Sequence, residues 1–81
     1  MNATHTISMR RDVVAALRET RDLEDDSKLA AAMGVHPSTV SRVMSGKSQP
    51  GPAFQAGLCI ALGAKLDHLF RVSVVEEGVA A

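Results

Sequence analysis

The stretch Leu29-Ala30-Ala31-Ala32-Met33-Gly34-Val35-His36-Pro37-Ser38-Thr39-Val40-Ser41-Arg42-Val43-Met44-Ser45-Gly46-Lys47 sets two short apolar stripes on either side of a glycine. Leu29, Ala30 and Met33 are spaced to face inward from one helix, and Val40, Val43 and Met44 from another. Gly34 ends the first helix, because glycine enters the left-handed conformation without a Cβ clash. Pro37 opens the second, since at the first helical position its missing N–H had no partner to lose. The short side chain of Ala30 lets the two helices cross closely, and Val40 and Val43 seat the second against the first. Relative to Gly34, Leu29 and Ala30 lie five and four positions before it, Met33 and Val35 flank it, and Val40 and Val43 follow by six and nine. The run Ser45 to Gly51 is turn chemistry and stops the second helix near Met44.

Working outward, Met9, Val13, Ala16 and Leu17 recur at helical spacing with arginines opposite, which predicts a helix from Met9 to about Thr20 with Ser8 as its N-cap. Arg21 to Asp26 is its exit loop, and Asp26 or Ser27 can cap the helix that contains Leu29. Downstream, Pro52 starts a fourth helix with Phe54, Leu58, Ala61 and Leu62 inward and Gly63 as its stop. Leu66, Leu69 and Phe70 suggest a short fifth. Arg71 to Val75 alternates well enough for a short strand, Thr4 to Ser8 is a weaker candidate to pair with it, and Glu76 to Ala81 is expected to fray. The expected fold is therefore all-α, with five helices and a short C-terminal β-strand. Its parts are an N-terminal arm (1–8), a helical domain (9–70), and a C-terminal strand and tail (71–81).

At 81 residues the chain has room for one domain, and 46% hydrophobic with 22% charged residues is ordinary globular usage. With two Phe as its only aromatics, it must build its core from small aliphatic side chains, so modest stability is expected. A single cysteine cannot form an intrachain disulfide, no apolar run approaches a membrane span, and residues 1–11 carry no signal-peptide stretch. A cytoplasmic protein without membrane attachment is expected. The formal charge is zero, but it is unevenly distributed: residues 1–27 carry −2, residues 28–71 carry +4, and Glu76 and Glu77 return −2.

Two short helices joined at a tight glycine turn form a helix-turn-helix unit, whose second helix enters the major groove of DNA. The quoted stretch resembles the lambda-repressor/Cro-like helix-turn-helix family, and similarity continues through Pro50 and the ending Ala61-Leu62-Gly63 … Leu66-Asp67-His68-Leu69-Phe70. It covers roughly residues 9 to 70. The resemblance implies a five-helix lambda-repressor-like domain and a sequence-specific transcriptional regulator, most simply a repressor of the phage Cro or immunity type. An antitoxin-type regulator and a protein-interaction module on the same fold are the rival expectations.

A helical wheel sorts the side chains of the second helix. With Val40 at zero, Ser41, Ser45, Ser38 and Arg42 fall at about 100° to 200°, opposite the apolar stripe. Arg42 can give two parallel hydrogen bonds to guanine O6 and N7, whereas the serines offer shorter and less selective bonds. The family resemblance also puts Pro37, Ser38 and Arg42 at base-facing positions, Pro37 for apolar contact only. Lys47, Ser48, Thr39 and Lys28 are expected to hold backbone phosphates, and His36, at the entry to the helix, to contact a phosphate or serve as a cap. One module makes a small interface, so a homodimer on a palindromic site is expected, with Arg71 to Val75 and the exposed part of the fifth helix as its surface; the alternative is that this strand packs only on its own domain.

Departures from the family pattern are specific. Asp26 stands where a phosphate-contacting glutamine is common, which is tolerable if the helix starts at Ser27. Met44 replaces an acid that usually pairs with a first-helix arginine, leaving Arg18 to point to solvent or phosphate. Lys65 replaces a capping serine, so the fifth helix should be short. Gly46-Lys47-Ser48 copies the end of a phosphate-binding loop but lacks the glycine five positions earlier, where Ser41 stands. His5, His36, Cys59 and His68 are too scattered for a zinc module, and Cys59 beside Leu58 and Ile60 reads as a buried, inert thiol. No enzyme activity, metal, cofactor or small-molecule ligand is expected.

Overall fold

The computed structural model describes the backbone of residues 2–77 and the side chains of residues 5–73. The elements in chain order are β1 (Asn2–Met9), α1 (Arg11–Thr20), α2 (Asp26–Met33), α3 (Pro37–Met44), α4 (Pro52–Leu62), α5 (Leu66–Leu69) and β2 (Phe70–Glu77). Five helices enclose one core, and the two ends of the chain pair as an antiparallel ribbon.

All five helices and β2 supply that core. Val14 of α1, Leu29 and Ala30 of α2, Val40 and Val43 of α3, Phe54, Leu58 and Leu62 of α4, Leu69 of α5 and Phe70 of β2 are buried. No polar or charged residue among those described is buried, so apolar area removed from water is the main stabilising term.

α1 to α4 end in the same way. After each, two amides fold back on carbonyls of the last turn: Leu23 N on Arg18 O, Val35 N on Ala30 O, Lys47 N on Arg42 O and Ala64 N on Cys59 O mark the outer bond. This closure needs a left-handed residue. Gly34, Gly46 and Gly63 supply it at φ 74°, 82° and 63°, but α1 uses Asp22 at φ 56°.

The sequence expectations require three corrections. The first helix begins at Arg11 rather than Met9, and Ser8 does not cap it, because residues 2–9 form β1. Met9 pairs with Phe70, and Arg10 N donates to Leu69 O at 2.7 Å, so the sheet ladder continues up to the residue before the helix. The described part of the expected arm is therefore a strand, and the C-terminal strand runs from Phe70 to Glu77, taking in Glu76 and Glu77 of the expected tail. Residues 78–81 of that tail lie outside the described residues. The second helix is capped by Asp25, whose carboxylate accepts from Ser27 N at 2.7 Å, and not by Asp26 or Ser27.

Directly paired residues of an antiparallel ladder share a face. Met9 with Phe70 and Ile7 with Val72 thus make an apolar face, and Ser8 with Arg71 and Thr6 with Ser73 a polar one. Phe70 is 3% exposed and Val72 71%, so the apolar face leaves the body within two residues.

Candidate nucleic-acid interface

The helix pair is held from both sides of Gly34. Leu29, Ala30 and Val40 are fully buried, Val43 is 4% exposed, and Val35 N donates to Ala30 O across the bend at 3.0 Å. His36 is the N-cap of α3: its Nδ1 accepts from Ser38 N at 3.1 Å, and the Ser38 hydroxyl lies 2.8 Å from the same nitrogen. Of the two roles weighed for His36, the ring therefore takes the cap, leaving its outer edge in solvent. Pro37 occupies the first helical position, as its chemistry requires.

Burial of Val40 and Val43 fixes the rotation of α3 and turns the opposite side outward. Pro37, Ser38, Ser41, Arg42 and Ser45 are all exposed, and Thr39 is partly so. Among the described residues the Arg42 guanidinium meets no hydrogen-bond or ion-pair partner, so its forked donors are open to an incoming acceptor. The Ser45 hydroxyl turns back to Arg42 O at 3.2 Å. In the loop that follows, Lys47 N and Ser48 N both donate to Arg42 O, at 2.9 and 3.2 Å. Their amides are thus spent on closing α3, and the exposed Lys47 ammonium and half-buried Ser48 hydroxyl are what the loop offers a phosphate. Lys28 is exposed on the first turns of α2, 3.9 Å from the Asp22 carboxylate in an open, weak pair.

Arg18 and Asp26 depart from expectation. Arg18 does not point to solvent: its side chain is 12% exposed and donates to Leu23 O at 2.8 Å, Glu24 O at 2.7 Å and Asp26 Oδ1 at 2.8 Å. α2 does start at Asp26, and the charge that would repel a phosphate there is held by Arg18 instead. At the other end, Arg11 Nη1 donates to Met44 O at 2.6 Å and takes over part of the tie between α1 and α3. No residue type signals this contact in the sequence, because a main-chain carbonyl can belong to any residue.

Other candidate chemistry stays dispersed. No group of three or more His, Cys, Asp or Glu that could hold a metal ion occurs among the described residues, and none of their helices is long and apolar enough to cross a membrane. Desolvation pushes the Cys59 thiol up against the opposing effect of a backbone hydrogen bond, away from the reactive thiolate.

A buried glycine-bent helix pair with one exposed polar face defines the helix-turn-helix class of DNA-binding regulators. The helix-turn-helix domain family matches residues 11–71, and the chain belongs to it. Domains of this family are typically not enzymes. Neither the curated proteins nor the solved structures contain a match to the chain.

Proposed function

We propose that this chain is a sequence-specific double-stranded DNA-binding transcriptional repressor of the Cro or immunity type, acting in the cytoplasm of a bacterial or phage-infected cell. α3 enters the major groove. Arg42 reads a guanine, Ser38, Ser41 and Ser45 contact base edges or phosphates, and Pro37 touches an apolar group such as a thymine methyl. Thr39, Lys47, Ser48, Lys28 and the outer edge of His36 hold the backbone and set the docking angle.

The observation that carries this is the two-sided character of α3: Val40 and Val43 at 0% and 4% exposure, with Ser38, Ser41, Arg42 and Ser45 all exposed opposite them. A single module buries only about 600 to 1,000 Å² on DNA, so two copies on half-sites about 34 to 36 Å apart form the functional unit. The apolar face of the ribbon supports pairing with a second copy. There Ile7, Leu66, Phe70 and Val72, rimmed by Arg10, Asp67 and Arg71, line a groove of about 380 Å³, with Leu66 47% and Val72 71% exposed.

Selection of bound duplexes from a random pool, followed by titration of the selected duplex across a salt series, tests the proposal. The expected result is a palindromic consensus, with affinity falling steeply as salt rises through counterion release. Failure to enrich any sequence, or a flat salt response, would overturn it.

A further inference from the structure

We propose that the DNA-contacting surface continues past α3 onto the polar face of the ribbon, where Arg11 and Arg71 hold phosphates that flank the half-site. The inference rests on the DNA-binding function proposed above and extends its contact surface to a part of the fold outside the helix pair.

Four observations place these arginines together and beside the recognition helix. Arg11 is anchored to the last residue of α3 through Met44 O at 2.6 Å. Ser8 pairs with Arg71, so both occupy the polar face of the ribbon next to the start of α1. Ser8, Arg10, Arg11, Asp12 and Arg71 line a single cleft of about 290 Å³. A second cleft, of about 230 Å³, joins Ser8 and Arg11 to Gly46, Ser48 and Gln49 in the loop after α3. The loop that offers Lys47 and Ser48 to one phosphate is therefore continuous with the arginines at the foot of the ribbon.

The charge there is unspent. Three arginines face Asp12, with Asp67 of α5 beyond Arg10, and no carboxylate among the described residues lies within 4.0 Å of an Arg10, Arg11 or Arg71 nitrogen. Arg10 Nε is buried without a hydrogen-bond partner, so the protein itself supplies no acceptor at that atom. α1 has no side-chain cap, and its positive end adds to the same field. A duplex carries a negative charge about every 1.7 Å along its axis, so a surface continuous with the half-site contact meets further phosphates without any change of partner. Strand alternation puts Arg71 and Val72 on opposite faces of the ribbon, while Arg10 and Arg71 also reach the rim of the groove that Ile7, Phe70 and Val72 line.

The test is the Arg71→Gln variant, a change at an exposed position whose fold is checked by thermal melting. It is titrated on the selected duplex cut to the half-site and on the same duplex extended at both ends. On the extended duplex the salt slope should become shallower by about one unit, and on the short one it should match wild type. Neutral methylphosphonates at the flanking positions should abolish the difference between wild type and variant. Arg11→Lys should retain most of the slope, and Arg11→Gln should make it shallower by about one unit. If wild type binds with a steep slope and Arg71→Gln binds with the same one, the inference is overturned while the helix-turn-helix contact stands, and the cluster is left to an acidic protein surface. If wild type binds no duplex, both proposals fall.

Discussion

Asp22 holds the left-handed position that closes α1, at φ 56°, where the three later helices use glycine. A side chain there meets the following carbonyl, a strain of about 1 to 2 kcal/mol that is smaller for Asp and Asn. Asp22→Gly should therefore stabilise the fold by about 0.5 to 1 kcal/mol, which is about 2 to 8 °C in Tm for a domain of this size. Thermal unfolding at neutral pH measures it, and a lowered Tm would show that the weak Lys28 pair or a local aspartate hydrogen bond outweighs the strain. Arg18 is the opposite case, a nearly enclosed guanidinium with three acceptors that ties the end of α1 to the start of α2. Arg18→Met keeps much of the packing but leaves Asp26 alone at the N-terminus of α2. A loss of about 2 kcal/mol is expected from hydrogen bonds involving a charged group, read by urea denaturation.

Local signals made the central helices legible in the sequence. Glycine, proline and turn residues marked the ends of α2, α3 and α4 within a residue or so, and the valine spacing fixed which side of α3 is buried. The ribbon was only half legible, because it joins the two ends of the chain and its pairing leaves no local mark. Met9 belonged equally well to a helical pattern with Val13 and to an alternating pattern with Ile7, and the ladder to Phe70 decided between them. The exposed side of α3 could be found on a wheel, but the contacts of Arg11 and Arg18 could not, because three of their four acceptors are main-chain oxygens and the fourth, the Asp26 carboxylate, lies across a loop. At α5 the missing serine predicted a short helix, and four residues without a side-chain cap are what forms. Lys65→Ser should restore that cap and add about 0.5 to 1 kcal/mol, seen as slower amide exchange at Asp67 and His68.

For the whole molecule, the proposed function divides the surface among three tasks: α3 for bases, the following loop for phosphates, and the apolar ribbon face for a second copy. If the last assignment holds, Val72→Asp should leave the monomer folded, because Val72 is 71% exposed, while shifting sedimentation from dimer to monomer at micromolar concentration. Binding to a full palindrome should then weaken far more than binding to one half-site. A variant that stays dimeric would move the interface elsewhere. The most direct check on the central claim is to compare wild type with Arg42→Ala on the selected duplex and on random DNA in the same buffer. A loss of about 1 to 3 kcal/mol on the selected duplex, with random DNA almost unaffected, is the expected result. Equal losses on both would contradict base reading by α3.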